Sequence, residues 1–227
     1  MSAVNHSAIG ILGGTFDPVH LGHLRLAQEV ADALGLSEVR FIPGGTPPHR
    51  ATPQTAVADR VAMVRLAIDG NPLFALDERE TRRSGKSYTF DTLSEVRTEL
   101  GAACPLVLIL GADAFLGFET WHRWREIFAL AHVAVAHRPG SVLGAMPPAL
   151  ADEFERRRSG EAQAVQRAAS GAIIEVPITA LDISATKVRE MVRARRSARY
   201  LLPPAVLQYI NNNQLFLKEN INHGAAR

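Results

Sequence analysis

The chain has 227 residues, 47% hydrophobic and 21% charged, with a formal charge of +2 and one cysteine. That is enough apolar material for one large domain with a substantial core. A charge so near zero argues against nucleic acid as the main partner, and a lone cysteine excludes an internal disulfide. The longest apolar run falls far short of a membrane span, and "MSAVNHSAIG" lacks the features of a signal peptide, so a cytoplasmic location is expected.

Short apolar runs alternate with longer amphipathic stretches. In chain order, strands are expected at 8–12, 39–43, 73–76, 106–110, 133–137 and 173–177. Helices are expected between and after them at 21–34, 56–68, 89–100, 121–129, 185–195 and 204–211, the first stopped by Gly35. Several strands are almost uniformly apolar, as strands covered on both faces are. The alternation predicts an α/β fold: a Rossmann-like doubly wound parallel sheet flanked by helices, with a small C-terminal helical part over 184–216. Residues 1–217 read as a single domain and 218–227 as a loose tail. The charge-rich stretch 141–169, with "EFERRRSGEAQAVQR", reads as a mostly solvated helical insertion.

The first strand runs into "GGTFDPVHLGH". In a doubly wound sheet, ligands sit beyond the carboxyl ends of the strands. Gly13 and Gly14 let a ligand approach the backbone, and the helix that follows offers free N–H groups and a positive dipole end to phosphate. The stretch fits neither G-x-x-x-x-G-K-[ST] nor G-x-G-x-x-G. His20 and His23, three apart in the first helical turn, can face one phosphate group together. Such a pair also describes ordinary surface, or part of a zinc site, although HExxH and a cysteine cluster are both missing.

These residues resemble the signature of the nucleotidylyltransferase superfamily, with His20, Gly22 and His23 matching its H-x-G-H core. The resemblance implies that both histidines contact the phosphates of a nucleoside triphosphate and that Gly22 leaves space for the nucleotide. It assigns Gly13, Gly14, Thr15 and Phe16 to the same ATP site.

After the last strand, "DISATKVRE" opens a helix with Ser184 placed as its N-cap and Thr186 in the first turn. Arg189 lies one turn further on. Hydroxyls, helix-start N–H groups and a guanidinium make a second anion site, or simply a capped helix with a basic face. The segment resembles the superfamily's I-S-[SA]-T-x-x-R element, which closes over the triphosphate. Position 185 is alanine and offers no hydroxyl, and Lys187 has no clear assignment.

The middle of the chain narrows the acceptor. "FIPGGTPPHR", "KSYTFDTL", "LILGADAF" and "ETWHRW" follow in order, and "LLPPAVLQYINNNQLF" comes near the end. Together they resemble the bacterial nicotinate-nucleotide adenylyltransferase family from Gly10 to Phe216. The resemblance implies transfer of AMP from ATP to nicotinate mononucleotide. It places His49, Arg50, Tyr88, Thr89 and Trp121 on the acceptor, and Gly111 and Asp113 on the nucleotide. Physical chemistry agrees, since a helix start at Tyr88–Thr89 suits a carboxylate and a tryptophan face suits a cationic pyridinium. The expected catalytic residues are His20, His23 and Arg189, with Mg²⁺ arriving alongside ATP and no dedicated protein metal ligands. ATP and nicotinate mononucleotide are the expected partners, with no nucleic acid and no membrane; a homo-oligomer stays open. Alternatives are another superfamily acceptor, such as phosphopantetheine or a cytidylyl transfer, or a nucleotide-binding regulator without turnover.

Overall fold

The computed structural model describes residues 7–45, 53–140, 143–179 and 181–217. Strand β1 (Ile9–Gly14) leads through a turn to α1 (Leu21–Leu34), then β2 (Glu38–Pro43), α2 (Val57–Ile68), β3 (Phe74–Leu76), a one-turn α3 (Arg79–Arg82) and α4 (Thr89–Leu100). After β4 (Leu106–Gly111) come α5 (Ala112–Leu116), a 3₁₀ turn at Phe118–Thr120, α6 (Trp124–Leu130) and β5 (His132–His137). The chain continues through α7 (Pro148–Arg157), a two-residue β6 (Arg158–Ser159), α8 (Ala164–Arg167) and β7 (Ile173–Pro177). It ends with α9 (Ala185–Arg193) and α10 (Pro204–Asn212).

The strands form one sheet in the order β3-β2-β1-β4-β5-β7-β6, and every pairing is parallel. Alternation of side chains splits the core into two layers. Leu106, Leu108 and Leu110 of β4 face Leu93, Val96, Phe115, Phe118 and Phe128 on one side of the sheet. Val107 and Ile109 face the other, toward the α1 and α2 apolar stripes of Val30, Leu34, Met63 and Val64. Each such side chain, fully buried, contributes about 1.5–3 kcal/mol. Gly35 closes α1 in the left-handed region, at φ 62°, as a C-terminal glycine does.

One expectation is corrected. The helix expected at 121–129 begins only at Trp124, because the chain makes a 3₁₀ turn at Phe118–Thr120 and Arg123 takes a left-handed φ of 55° just before it. Trp121 therefore stands outside the helix. Among its described residues the 141–169 stretch is mostly exposed or half-buried, anchored by buried Leu150, Phe154 and Val165, and β6 adds an edge strand beside β7. Its charges are absorbed locally, with Glu153 buried and paired to Arg156 and Arg157. The C-terminal helices are also part of the core, where Val188, Val192, Val206 and Ile210 are buried. Among the described residues, no helix is long and apolar enough to cross a membrane.

Candidate active site

Because all strands run the same way, the loops after β1, β2, β4 and β7 emerge on one edge of the sheet. The strand order reverses between β1 and β4, with β2 on one side of β1 and β4 on the other. A crevice at such a reversal, beyond the strand ends, is where open α/β sheets bind ligands. Nearly every residue singled out from the sequence lies on that edge.

A cavity of about 170 Å³ opens there. Gly13, Gly14, Thr15 and Gly44 form one wall, and Tyr88, Thr89, Trp121 and His122 another, over a floor that includes Ile11 and Leu108. The glycine turn and the "SYT" and "TW" elements are thereby brought together. The two glycines serve different ends. A Cβ on Gly13 would meet nothing within 4 Å, so that surface is open to a ligand. A Cβ on Gly14 would lie 2.9 Å from the Phe16 ring, so this position is small to admit Phe16.

Beside the cavity, His20 and His23 open α1. Their rings stack with centroids 3.7 Å apart, and the His20 backbone N–H donates to His23 Nδ1 at 3.2 Å. Phe16 meets His23 edge-on at 5.1 Å. His20 is buried, its Nδ1 has no hydrogen-bond partner within the protein, and burial pushes its pKa down from 6.5 to about 4. A Cβ on Gly22 would sit 3.0 Å from that Nδ1, so Gly22 makes room for the His20 imidazole. The helix start has fewer free donors than the sequence suggests: the Leu21 N–H donates to the Leu201 carbonyl at 3.0 Å and that of His23 to the His20 carbonyl at 2.9 Å.

The second predicted anion site comes against the first. Ser184 caps α9, its hydroxyl accepting the Lys187 N–H at 3.2 Å. Arg189 donates to the Thr186 hydroxyl at 3.1 Å and to the Asp17 carbonyl at 2.7 Å, inside the "GGTFDPVHLGH" turn. Ile183 packs beside Gly22. Neither Ser184, Thr186 and Arg189 nor His20 and His23 line the 170 Å³ cavity; Arg189 reaches the turn that carries the histidines instead. Asp113 is exposed in the first turn of α5, beyond the end of β4. His49 and Arg50 lie outside the described residues.

Reasoning from the sequence missed four polar lining residues, Glu80, Ser87, Thr92 and His122. His122 packs its ring against Tyr88, with centroids 4.5 Å apart. Glu80 is buried, accepts the Thr92 hydroxyl at 2.7 Å, and has its pKa raised chiefly by desolvation, against the pull of Thr92 and Arg83. Ser87 is buried beside it. Ser87 and His122 adjoin motifs already noted, whereas nothing in "LDERETRR" marks Glu80 as inward-facing. Among the described residues, no three or more His, Cys, Asp or Glu side chains gather in a way that could hold a metal ion.

Residues 11–191 match the family model described as cytidylyltransferase-like. A Dechloromonas aromatica protein named "Probable nicotinate-nucleotide adenylyltransferase" is 50% identical over 210 residues, covering 92% of this chain and 97% of the relative. A protein of the same name from Halorhodospira halophila is 52% identical over 202 residues, covering 89% and 92%. The solved structure of Plasmodium falciparum nicotinic acid mononucleotide adenylyltransferase complexed with NaAD has the same fold, with a TM-score of 0.71 at 16% identity, over 93% of this chain and 98% of that one. The chain belongs to the cytidylyltransferase-like family and, within it, to the nicotinate-nucleotide adenylyltransferases.

Proposed function

We propose that this protein transfers the adenylyl group of ATP to the phosphate of nicotinate mononucleotide, forming nicotinate adenine dinucleotide and pyrophosphate in NAD biosynthesis. The observation that carries the reading is one cavity lined both by the glycine turn and by Tyr88, Thr89 and Trp121. It puts a surface fit for a nucleotide's phosphates next to one fit for an aromatic acid.

An oxygen of the acceptor phosphate attacks the α-phosphorus of ATP. The bond from that phosphorus to the bridging oxygen breaks, and pyrophosphate departs in line. No side-chain nucleophile is needed, so the protein's task is to position the reactants and neutralise charge. His20, His23 and Arg189, with Ser184 and Thr186, are the groups we assign to the triphosphate, where they stabilise charge building on the leaving oxygens. Gly13, Thr15, Gly111 and Asp113 are assigned to the nucleotide. Tyr88 and Thr89 stand at the start of α4, which has no side-chain cap of its own, so its first N–H groups suit the nicotinate carboxylate. Trp121 presents a half-buried ring on the same wall for the pyridinium. His49 and Arg50 are assigned to the acceptor phosphate on the family resemblance. Mg²⁺ would arrive with ATP as its magnesium complex and would supply charge neutralisation to the phosphates. Residues 1–217 act as one nucleotidylyltransferase unit, acting in the cytoplasm.

The deciding experiment incubates the purified protein with ATP and Mg²⁺ and either nicotinate or nicotinamide mononucleotide, side by side. Pyrophosphate and the dinucleotide are expected from both, with a clear preference for the acid. No product from nicotinate mononucleotide overturns the proposal, and equal turnover of acid and amide removes the carboxylate site from it.

A further inference from the structure

Arg60, on the inner face of α2, is the largest side chain among the described residues that is wholly withdrawn from solvent. Burying a cation costs several kcal/mol unless it is well partnered. Its hydrogen-bond partners are two carbonyl oxygens: one η-nitrogen donates to Thr15 at 2.8 Å and the other to Gly45 at 3.3 Å. Nε has no partner. Burial lowers its pKa and the charge of Asp17 opposes that shift, but the Asp17 carboxylate is already engaged, accepting the Gln54 N–H and the Thr55 hydroxyl, each at 2.7 Å.

The two carbonyls belong to different loops: Thr15 lines the cavity itself, and Gly45 packs against Glu80 and Ser87, which line it beside Tyr88. Thr15 ends the glycine turn after β1 and precedes Phe16, whose φ of 49° lies in the left-handed region. For a residue other than glycine that conformation costs about 1–3 kcal/mol and persists only where its surroundings hold it. Gly45 lies in the loop after β2, pressed so closely on Glu80 that a Cβ there would sit 2.3 Å from the Glu80 carbonyl oxygen. Its neighbour Gly44 lines the cavity together with Thr15, and the Gly44 N–H donates to the Gly14 carbonyl at 2.9 Å. One rigid guanidinium fork therefore ties the turn after β1 to the start of the loop after β2, which packs on Glu80 and Ser87 next to Tyr88. A lysine ammonium, on a flexible stem and without a planar fork, cannot fix two such oxygens in the same way.

We propose that Arg60 is a positioning residue for adenylyl transfer, setting the separation between the turn at Thr15 and the loop at Gly45 so that the acceptor phosphate meets the α-phosphorus in line. The proposal rests on the adenylyltransferase reading above. Losing the fork removes no contact to either substrate but lets the two loops drift apart. A displacement of about 1 Å costs on the order of 10²-fold in rate.

The test compares Arg60→Met and Arg60→Lys with the wild type by steady-state kinetics in both substrates, well below each melting midpoint. ATP binding is measured separately by calorimetry. The expected result for Arg60→Met is a kcat lower by about 10²-fold, with both KM values and ATP affinity within about threefold. Arg60→Lys should recover part of the loss. Wild-type kcat per folded molecule in both variants overturns the proposal, as does a loss confined to one KM. Failure of both variants to fold also overturns it, because Arg60 would then be a residue of the core alone. A wild type that makes no product sinks the functional reading instead, so the two failures are distinguishable.

Discussion

Arg189 donates a hydrogen bond to the carbonyl oxygen of Asp17 at 2.7 Å, joining residues 172 positions apart. That contact puts the start of α9 against the turn that carries His20 and His23, so the two segments proposed to bind anions lie side by side. A guanidinium tied to a carbonyl on one nitrogen still has donors left for phosphate. Arg189→Lys should lower kcat/KM for ATP by at least about tenfold, since lysine cannot keep both contacts. Unchanged kinetics in ATP would detach α9 from the reaction.

His20 is neutral at pH 7 in the free protein, because burial holds its pKa near 4. Unfolding exposes the ring and restores a value near 6.5. Between those values the unfolded chain binds more protons than the folded one, so stability is lost as pH falls through that window. The loss amounts to about 3 kcal/mol by pH 4. Denaturant titrations of the wild type and His20→Gln from pH 7 to 4 should converge by roughly that amount. Parallel curves would show that the ring titrates normally.

His23→Ala removes a half-buried ring that receives the His20 N–H and touches Phe16. The cost to stability is about 1 kcal/mol. The cost to kcat is expected at about 10²-fold, the usual effect of removing one stabilising donor. Melting curves together with single-turnover rates would separate the two, and normal rates would contradict the role.

Gly22→Ala should move stability and activity in opposite directions. Alanine favours the helix by somewhat less than 1 kcal/mol, yet its Cβ would crowd His20 Nδ1 at 3.0 Å and tilt a ring already stacked on His23. A kcat reduced by about tenfold, with an unchanged or raised melting temperature, is expected. Full activity would show that the histidine pair tolerates displacement.

Arg97 gives the opposite pattern. From α4 it donates to the carbonyls of Cys104 and Leu130, and to those of Gly101 at 3.2 Å and Ala169 at 3.0 Å. These acceptors lie at the amino ends of the strands, away from the cavity. Arg97→Met should destabilise the fold by about 3 kcal/mol, as four carbonyls, three of them in part-buried contacts, lose a charged donor. Its kcat well below melting should match the wild type. A large fall in kcat would mean that the far end of the sheet communicates with the site.

The order of strands and helices was legible in the chain because burial on two faces leaves continuous apolar runs, as in β4 and β5, and one-face burial leaves the stripes of α1 and α9. The phosphate turn and the α9 start were legible too, since helix caps and glycine turns are local chemistry. Arg60, Glu80 and His122 were not. Nothing around an arginine in a helix or a glutamate in a charged run reveals which way it points. Likewise Gly22 and Gly14 read as small residues, but only their neighbours show that one accommodates His20 and the other Phe16. The sequence by itself determined the periodicities, the local turns and the family. The tertiary structure alone decided which loops share the sheet edge, because parallel pairing and the reversal between β1 and β4 bring together residues that local energetics leave unrelated.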